Sequence, residues 1–280
     1  MITTLKKCRS LKVRAIIFDW AGTTVDYGCF APTGVFREVF LQKGIDISEK
    51  EARTPMGMYK RDHIKTITQF PRIMEEWRKK YGRDCSESDI EDMFQNFIPL
   101  QISVIDKHSK IVPELPDALK VIKSFGLKIG STTGYTADMM KILTESAARQ
   151  GYIPDAMVCA SDVSEGRPAP WMALKNAELM GIYPMETIIK IGDTVADIKE
   201  GVNAGMWSIG VIYSSNEMGM TIEEVNALKP SELANRKRHI TDVFIEAGAD
   251  YVIDSLSEIG DLIDKINLEL YCGEKPCNQT

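Results

Sequence analysis

Six short apolar runs, at residues 15–18, 127–130, 156–159, 187–191, 207–212 and 251–253, recur along the 280-residue chain. Between them lie stretches with helical spacing: Ala118, Leu119 and Ile122; Met139, Ile142, Leu143 and Ala147; Ala173, Ala177 and Leu179. Strands covered on both faces read as short unbroken apolar runs, because neither side meets water. Their alternation with helices predicts an α/β fold: a Rossmann-like parallel sheet core with helices on both faces.

One stretch breaks the alternation. From about residue 32 to residue 108 the pattern is helical, with no convincing strand. Val35, Phe36, Val39 and Phe40 share one face, and Gly44 can end that helix. Ser48 with Glu51, and Ser88 with Glu91, read as capping boxes. Pro71 suits a first turn, followed by Ile73, Met74 and Trp77 on one side. The expected organisation is therefore a core of residues 1–30 and 108–280, interrupted by an inserted all-helical module at 31–107.

Charge and hydropathy narrow the function classes. The formal net charge is −6, without a cluster of Lys and Arg, so no nucleic-acid partner is expected. The basic start, MITTLKKCRSLKV, is followed only by the short run AIIF, which ends in Asp19. That is neither a signal-peptide core nor a membrane span, and a cytoplasmic protein is expected. Cys8, Cys29, Cys85, Cys159, Cys272 and Cys277 show no zinc spacing. Free thiols are expected, with a Cys272–Cys277 bridge in the polar tail as the alternative.

Ligand sites in such sheets lie at the carboxyl ends of the strands. After the first run comes Asp19-Trp20-Ala21-Gly22-Thr23-Thr24, where the carboxylate can be nucleophile, metal ligand or turn cap. After the second comes Ser131-Thr132-Thr133-Gly134-Tyr135, hydroxyls and amides leading into a helix N-terminus that can hold an anion. The third is followed by a loop bearing Arg167, which alone reads as a solvated surface residue. The fourth is followed by Asp193 and Asp197, four apart, which suit a magnesium ion or simply a first helical turn. In the helical module, Met56, Lys60 and His63 fall on one face if the segment is helical, and the ordinary reading of a lone lysine there is solvent exposure.

Taken together, FDWAGTT, TTG, GRP and GDTVAD resemble, in order and spacing, the four motifs of the haloacid dehalogenase-like superfamily. The helical insertion matches that superfamily's cap domain. The resemblance implies that Asp19 is a nucleophile, and that Asp19, the Ala21 carbonyl and Asp193 hold Mg²⁺ with Asp197 in support. It also implies that Thr133, Gly134 and Arg167 hold the transferring group. One position departs from the pattern. Phosphatases of the superfamily carry a second Asp where this chain has Ala21, and Ala21 cannot protonate a leaving oxygen. A carbon leaving group avoids that need if an imine accepts its electrons.

Further phrases, VDYGCFAP, EARTPMG, KRDH, GRPAPW and NAGMW, resemble the phosphonoacetaldehyde hydrolase family within this superfamily. That resemblance implies cleavage of a carbon–phosphorus bond in a small phosphonate and an imine-forming Lys60. It places Cys29, Met56, His63 and Tyr135 around the site, with His63 as a proton-transfer candidate, and implies a homodimer. The residues alone leave open a phosphate-ester phosphatase, a metal-independent dehalogenase and a non-catalytic binding protein.

Overall fold

A computed structural model describes residues 11–277. The first strand, β1 (Ala15–Phe18), is followed by five helices: α1 (Phe30–Gln42), α2 (Glu49–Arg53), α3 (Lys60–Thr68), α4 (Pro71–Tyr81) and α5 (Glu87–Ile105). The alternating part then runs α6 (Leu115–Ser124), β2 (Lys128–Thr133), α7 (Ala137–Arg149), β3 (Ala156–Cys159), α8 (Trp171–Met180), β4 (Ile188–Gly192), α9 (Val195–Asn203) and β5 (Trp207–Val211). It ends with α10 (Ile222–Ala227), α11 (Pro230–Glu246), β6 (Tyr251–Ile253) and α12 (Ile259–Cys272).

All six strands are parallel, in the order β3-β2-β1-β4-β5-β6. The first strand lies between β2 and β4, with Phe18 level with Ser131 on one side and Ile191 on the other. Chain order reverses there, which opens a crevice at the carboxyl ends of β1, β2 and β4. Helices α1 to α5 pack around Phe36, Phe40, Ile64, Ile67, Trp77, Met93 and Phe97, all fully buried.

Several expectations need correction. The second strand runs on through Thr133, so Ser131 and Thr132 are buried strand residues and not loop hydroxyls. The capping box of α5 is Ser86 with Asp89, two residues before the expected pair. Arg83 grips the Asp89 carboxylate through Nη1 and Nη2, which favours that register. Leu179 is exposed and Met180 takes its inward place. The Val35–Phe40 face, by contrast, is buried within the chain as its helical spacing suggests. Cys8 lies outside the described residues, and the other five cysteines are free. No described helix is long and apolar enough to cross a membrane.

Both crossings between the sheet and the helical segment are tied to Asp26. Its carboxylate accepts from the Ala31 amide at 2.9 Å and pairs with His108 Nδ1 at 3.0 Å. Its own amide donates to the Lys110 carbonyl. Asp26, Gly28 and Cys29 all have positive φ, which folds this linker back sharply. The hydrogen bond to Asp26 raises the His108 pKa. A histidine raised in the folded state stabilises most below its unfolded pKa, about 6.5, and that contribution is lost as pH rises through the folded value. His108→Gln should therefore lower the melting temperature more at pH 6 than at pH 9. Equal losses in thermal scans at the two pH values would show that the pair carries no charge.

Candidate active site

The site is built from backbone that can approach closely. Asp19 follows β1 directly, and its amide donates to the Ile191 carbonyl of the neighbouring strand. Gly22 has φ +90°, and a Cβ there would lie 2.0 Å from Asp193 Oδ2. Only glycine permits that turn against that carboxylate. Asp193 follows β4, accepting from Thr23 Oγ1 at 3.2 Å and from the Asn216 amide at 2.8 Å. Asp197 lies one turn into α9, capped by Thr194.

These three carboxylates are buried, with one ligand oxygen from each within 4.8 Å of the others. Burial, then the neighbouring carboxylates, raises the Asp193 pKa well above the usual range. The same causes raise Asp19 to about 6, while Arg167 and Lys190 oppose the shift. A hard divalent cation relieves this repulsion, and oxygen donors at this spacing suit Mg²⁺ after a small side-chain adjustment.

Beneath the carboxylates lies a buried ionic network. Arg167 Nη1 is 2.7 Å from Asp19 and 2.9 Å from Asp197, its Nε donates to Glu200 at 2.8 Å, and its Nη2 donates to Thr132 Oγ1 at 2.7 Å. Lys190 Nζ is 2.7 Å from Asp197 and 3.4 Å from Glu200. Burial alone would lower the Arg167 pKa, but Asp197, Glu200 and Asp19 overcome it, so the guanidinium stays charged. The loop arginine is thus one of the most enclosed cations of the chain, fixed with one nitrogen on the Asp19 carboxylate.

The helical segment supplies the opposite wall. Residues Thr54 to Gly57 form turns, and α3 begins at Lys60 itself. Met56 and Lys60 therefore do not share a helix, yet both reach the same cavity. Gly57, at φ +87°, packs against Thr194. Lys60 is 3% exposed, with its Nζ 4.8 Å from the Tyr135 ring centre and 5.7 Å from that of Phe36. Ring faces tolerate a cation but do not replace its water. Burial accordingly lowers the Lys60 pKa to about 8, with Cys29 and Asp19 pulling it back and Arg167 adding to the fall. The like charge comes from Arg167, and not from Arg61 next in sequence, which is engaged with Glu87 and Glu91 at the surface.

Ten of the residues singled out from sequence line one cavity of about 20 Å³: Asp19, Ala21, Cys29, Met56, Lys60, Thr133, Gly134, Tyr135, Arg167 and Asp193. Asp197 sits just behind them on Arg167 and Lys190. His63 does not line the cavity. It is fully buried, stacked on Phe36 with centroids 3.6 Å apart, and its Nε2 is 2.9 Å from the Ala52 carbonyl. Burial, then Lys60, lowers its pKa well below the usual value. The ring is therefore neutral with the proton on Nε2, and Nδ1 has no partner among the described residues.

Lys190, Glu200 and Asn216 were not singled out from sequence. A lysine within the apolar run Ile188-Ile189-Lys190-Ile191 was the signal available, since an unpaired charge cannot occupy a central strand.

A family model for haloacid dehalogenase-like hydrolases matches residues 13–205. The phosphonoacetaldehyde hydrolase of Bacillus anthracis is 45% identical over 256 residues, covering 91% of this chain and 97% of the relative. The bifunctional phosphonoacetaldehyde hydrolase/aminoethylphosphonate transaminase of Clostridioides difficile is 46% identical over 265 residues, 95% of this chain. The chain spans 42% of that protein's length. Among solved structures, a phosphonoacetaldehyde hydrolase-like protein from Oleispira antarctica superimposes with a TM-score of 0.94 at 38% identity, covering 99% of this chain and 100% of that one. A β-phosphoglucomutase from Clostridium difficile shares the fold, with a TM-score of 0.65 at 23% identity, covering 92% and 98% of the two chains.

Proposed function

The chain belongs to the haloacid dehalogenase-like hydrolases, and on that premise we propose that it cleaves the carbon–phosphorus bond of phosphonoacetaldehyde to acetaldehyde and phosphate. One observation carries the reading. A buried lysine, its pKa lowered to about 8, shares a small cavity with Asp19 where Ala21 replaces the acid an ester phosphatase uses. At pH 7 about one such lysine in ten is neutral, against one in a few thousand at an ordinary pKa of about 10.4.

In this reading α1–α5 act as a cap, residues 31–107, over a core of residues 1–30 and 108–280. The neutral Lys60 amine attacks the aldehyde, water leaves, and a protonated imine forms. Asp19 attacks phosphorus, the C–P pair moves into the imine, and an enamine and an aspartyl-phosphate result. Protonation at carbon and hydrolysis of the imine free acetaldehyde and return Lys60, and water releases phosphate from Asp19. Arg167 with the Thr133–Gly134 turn orients the phosphonate oxygens. His63, neutral and outside the cavity, is assigned no proton transfer in this reading and packs against Phe36 and Ala52. Met56, Cys29 and Tyr135 shape the space around the imine. Burial holds the thiol and phenol well above their usual pKa values, hence uncharged. Magnesium bound by Asp19, the Ala21 carbonyl and Asp193, with Asp197 in support, would supply positive charge at the phosphonate.

The test is product release. Purified protein should liberate acetaldehyde and phosphate from phosphonoacetaldehyde, lose at least about 100-fold of that rate in chelator, and recover with Mg²⁺. Turnover of simple phosphate esters with none of the phosphonate would make it a phosphatase. Full activity in chelator would point to the metal-independent dehalogenases.

A further inference from the structure

The loop following β5 touches three parts of the molecule at once. Ser214 Oγ donates to the Gly22 carbonyl at 2.6 Å, and the Ser214 carbonyl accepts from the Gly28 amide at 2.8 Å. Asn216, 2% exposed, donates its amide to Asp193 Oδ2 at 2.8 Å. Its side chain faces the other way, toward the helical segment. Arg53 Nη1, at the end of α2, donates to Asn216 Oδ1 at 3.2 Å and to the Gly28 carbonyl at 2.8 Å. Asn216 Nδ2 donates back to the Arg53 carbonyl at 3.3 Å. Arg53 is further held by Glu49 at 2.8 Å and by the Phe30 ring at 5.2 Å. Arg53 itself makes no contact with Asp19, Asp193 or Asp197.

We propose that Asn216 is a positioning residue that couples docking of the helical segment to the orientation of the Asp193 carboxylate. The backbone of Asn216 sets where one Asp193 oxygen points. Its side chain is held across the seam by two reciprocal hydrogen bonds with Arg53 while α2 is seated, and otherwise only by Glu217 of its own loop at 3.4 Å. When α2 lifts, Asn216 loses both, the loop relaxes, and Asp193 loses its fixed donor. Cation binding and docking then reinforce each other, and linkage requires the reinforcement to be equal in both directions. This inference rests on the reading of Asp193 as a magnesium ligand.

The experiment titrates substrate-free protein with Mg²⁺ alone by calorimetry. Arg53→Met should weaken Mg²⁺ binding roughly fivefold or more although Arg53 touches no ligand, and Asn216→Ala should do the same. The double variant should be no weaker than the weaker single one, because the two residues act as one link. Arg53→Lys keeps the charge but not the paired geometry and should also weaken binding, which covers the case that Arg53→Met is poorly folded. In the reverse direction, Mg²⁺ should slow hydrogen exchange of the α2 amides in the wild type and not in Asn216→Ala. Wild-type binding that Arg53→Met and Arg53→Lys leave within twofold, or a double variant whose loss is the product of the singles, overturns the coupling alone. A wild type that takes up no Mg²⁺ removes the metal reading and the coupling with it.

Discussion

Lys60→Arg should leave a folded protein that turns over phosphonoacetaldehyde at least about 10³-fold more slowly and forms no reducible adduct. The expectation follows from the chemistry of the imine. A guanidinium keeps its proton throughout the accessible pH range and cannot condense with an aldehyde. The volume and charge at the cavity wall are nearly kept, so the loss reports chemistry and not packing. Borohydride added during turnover should reduce the imine to a stable secondary amine. Mass spectrometry should place the added two-carbon unit on Lys60 in the wild type and nowhere in the variant. The pH profile provides an independent reading. The Lys60 pKa is lowered to about 8, so kcat/KM should climb as pH rises toward 8 and level off above it. A Lys60→Arg protein that keeps a tenth of wild-type activity, or an adduct on another lysine, would defeat the imine assignment.

The second large effect is expected at a residue with no reactive group. A Cβ on Gly134 would lie 2.4 Å from the Met58 carbonyl oxygen and 3.0 Å from that of Gly57. Both obstacles are backbone, so the two walls of the site must separate by about an ångström for Gly134→Ala to fit. Displacement of that size between reacting groups costs on the order of 100-fold in rate. Gly134→Ala should therefore fold, melt within a few degrees of wild type, and lose about 100-fold in kcat/KM. Its Lys60 should also be trapped more slowly. Activity within threefold of wild type would mean that the seam is not held as closely during catalysis as it is in this structure.

How much of this was legible in the sequence varied by kind of residue. The strands were, because apolar runs such as Ala15–Phe18 have no other use in a parallel sheet. Asp19 and Asp193 were, because ligand sites follow strand tips. Ala21 was informative through what it lacks. Arg167 was harder: in sequence it is a loop cation, and only the fold shows five polar partners around it. Whether Met56 and Lys60 share a helix was left conditional, because periodicity is blind to the positive φ of Gly57 that separates them. The start of α5 was ambiguous because Ser86 and Ser88 each precede an acid by three, and Arg83 decided between them from outside the helix. Glu200 and Asn216 left no pattern, since their roles exist only once distant segments meet.

The cavity around Asp19 and Lys60 measures about 20 Å³, room for roughly one water. Phosphonoacetaldehyde is several times larger. The conformation described here is therefore too tight to hold that molecule. On the proposed reaction each cycle would then include two partings of the helical segment from the strand tips, one before the amine meets its aldehyde and one after phosphate is free. A faster chemical step cannot speed such a cycle beyond the frequency with which the lid breathes.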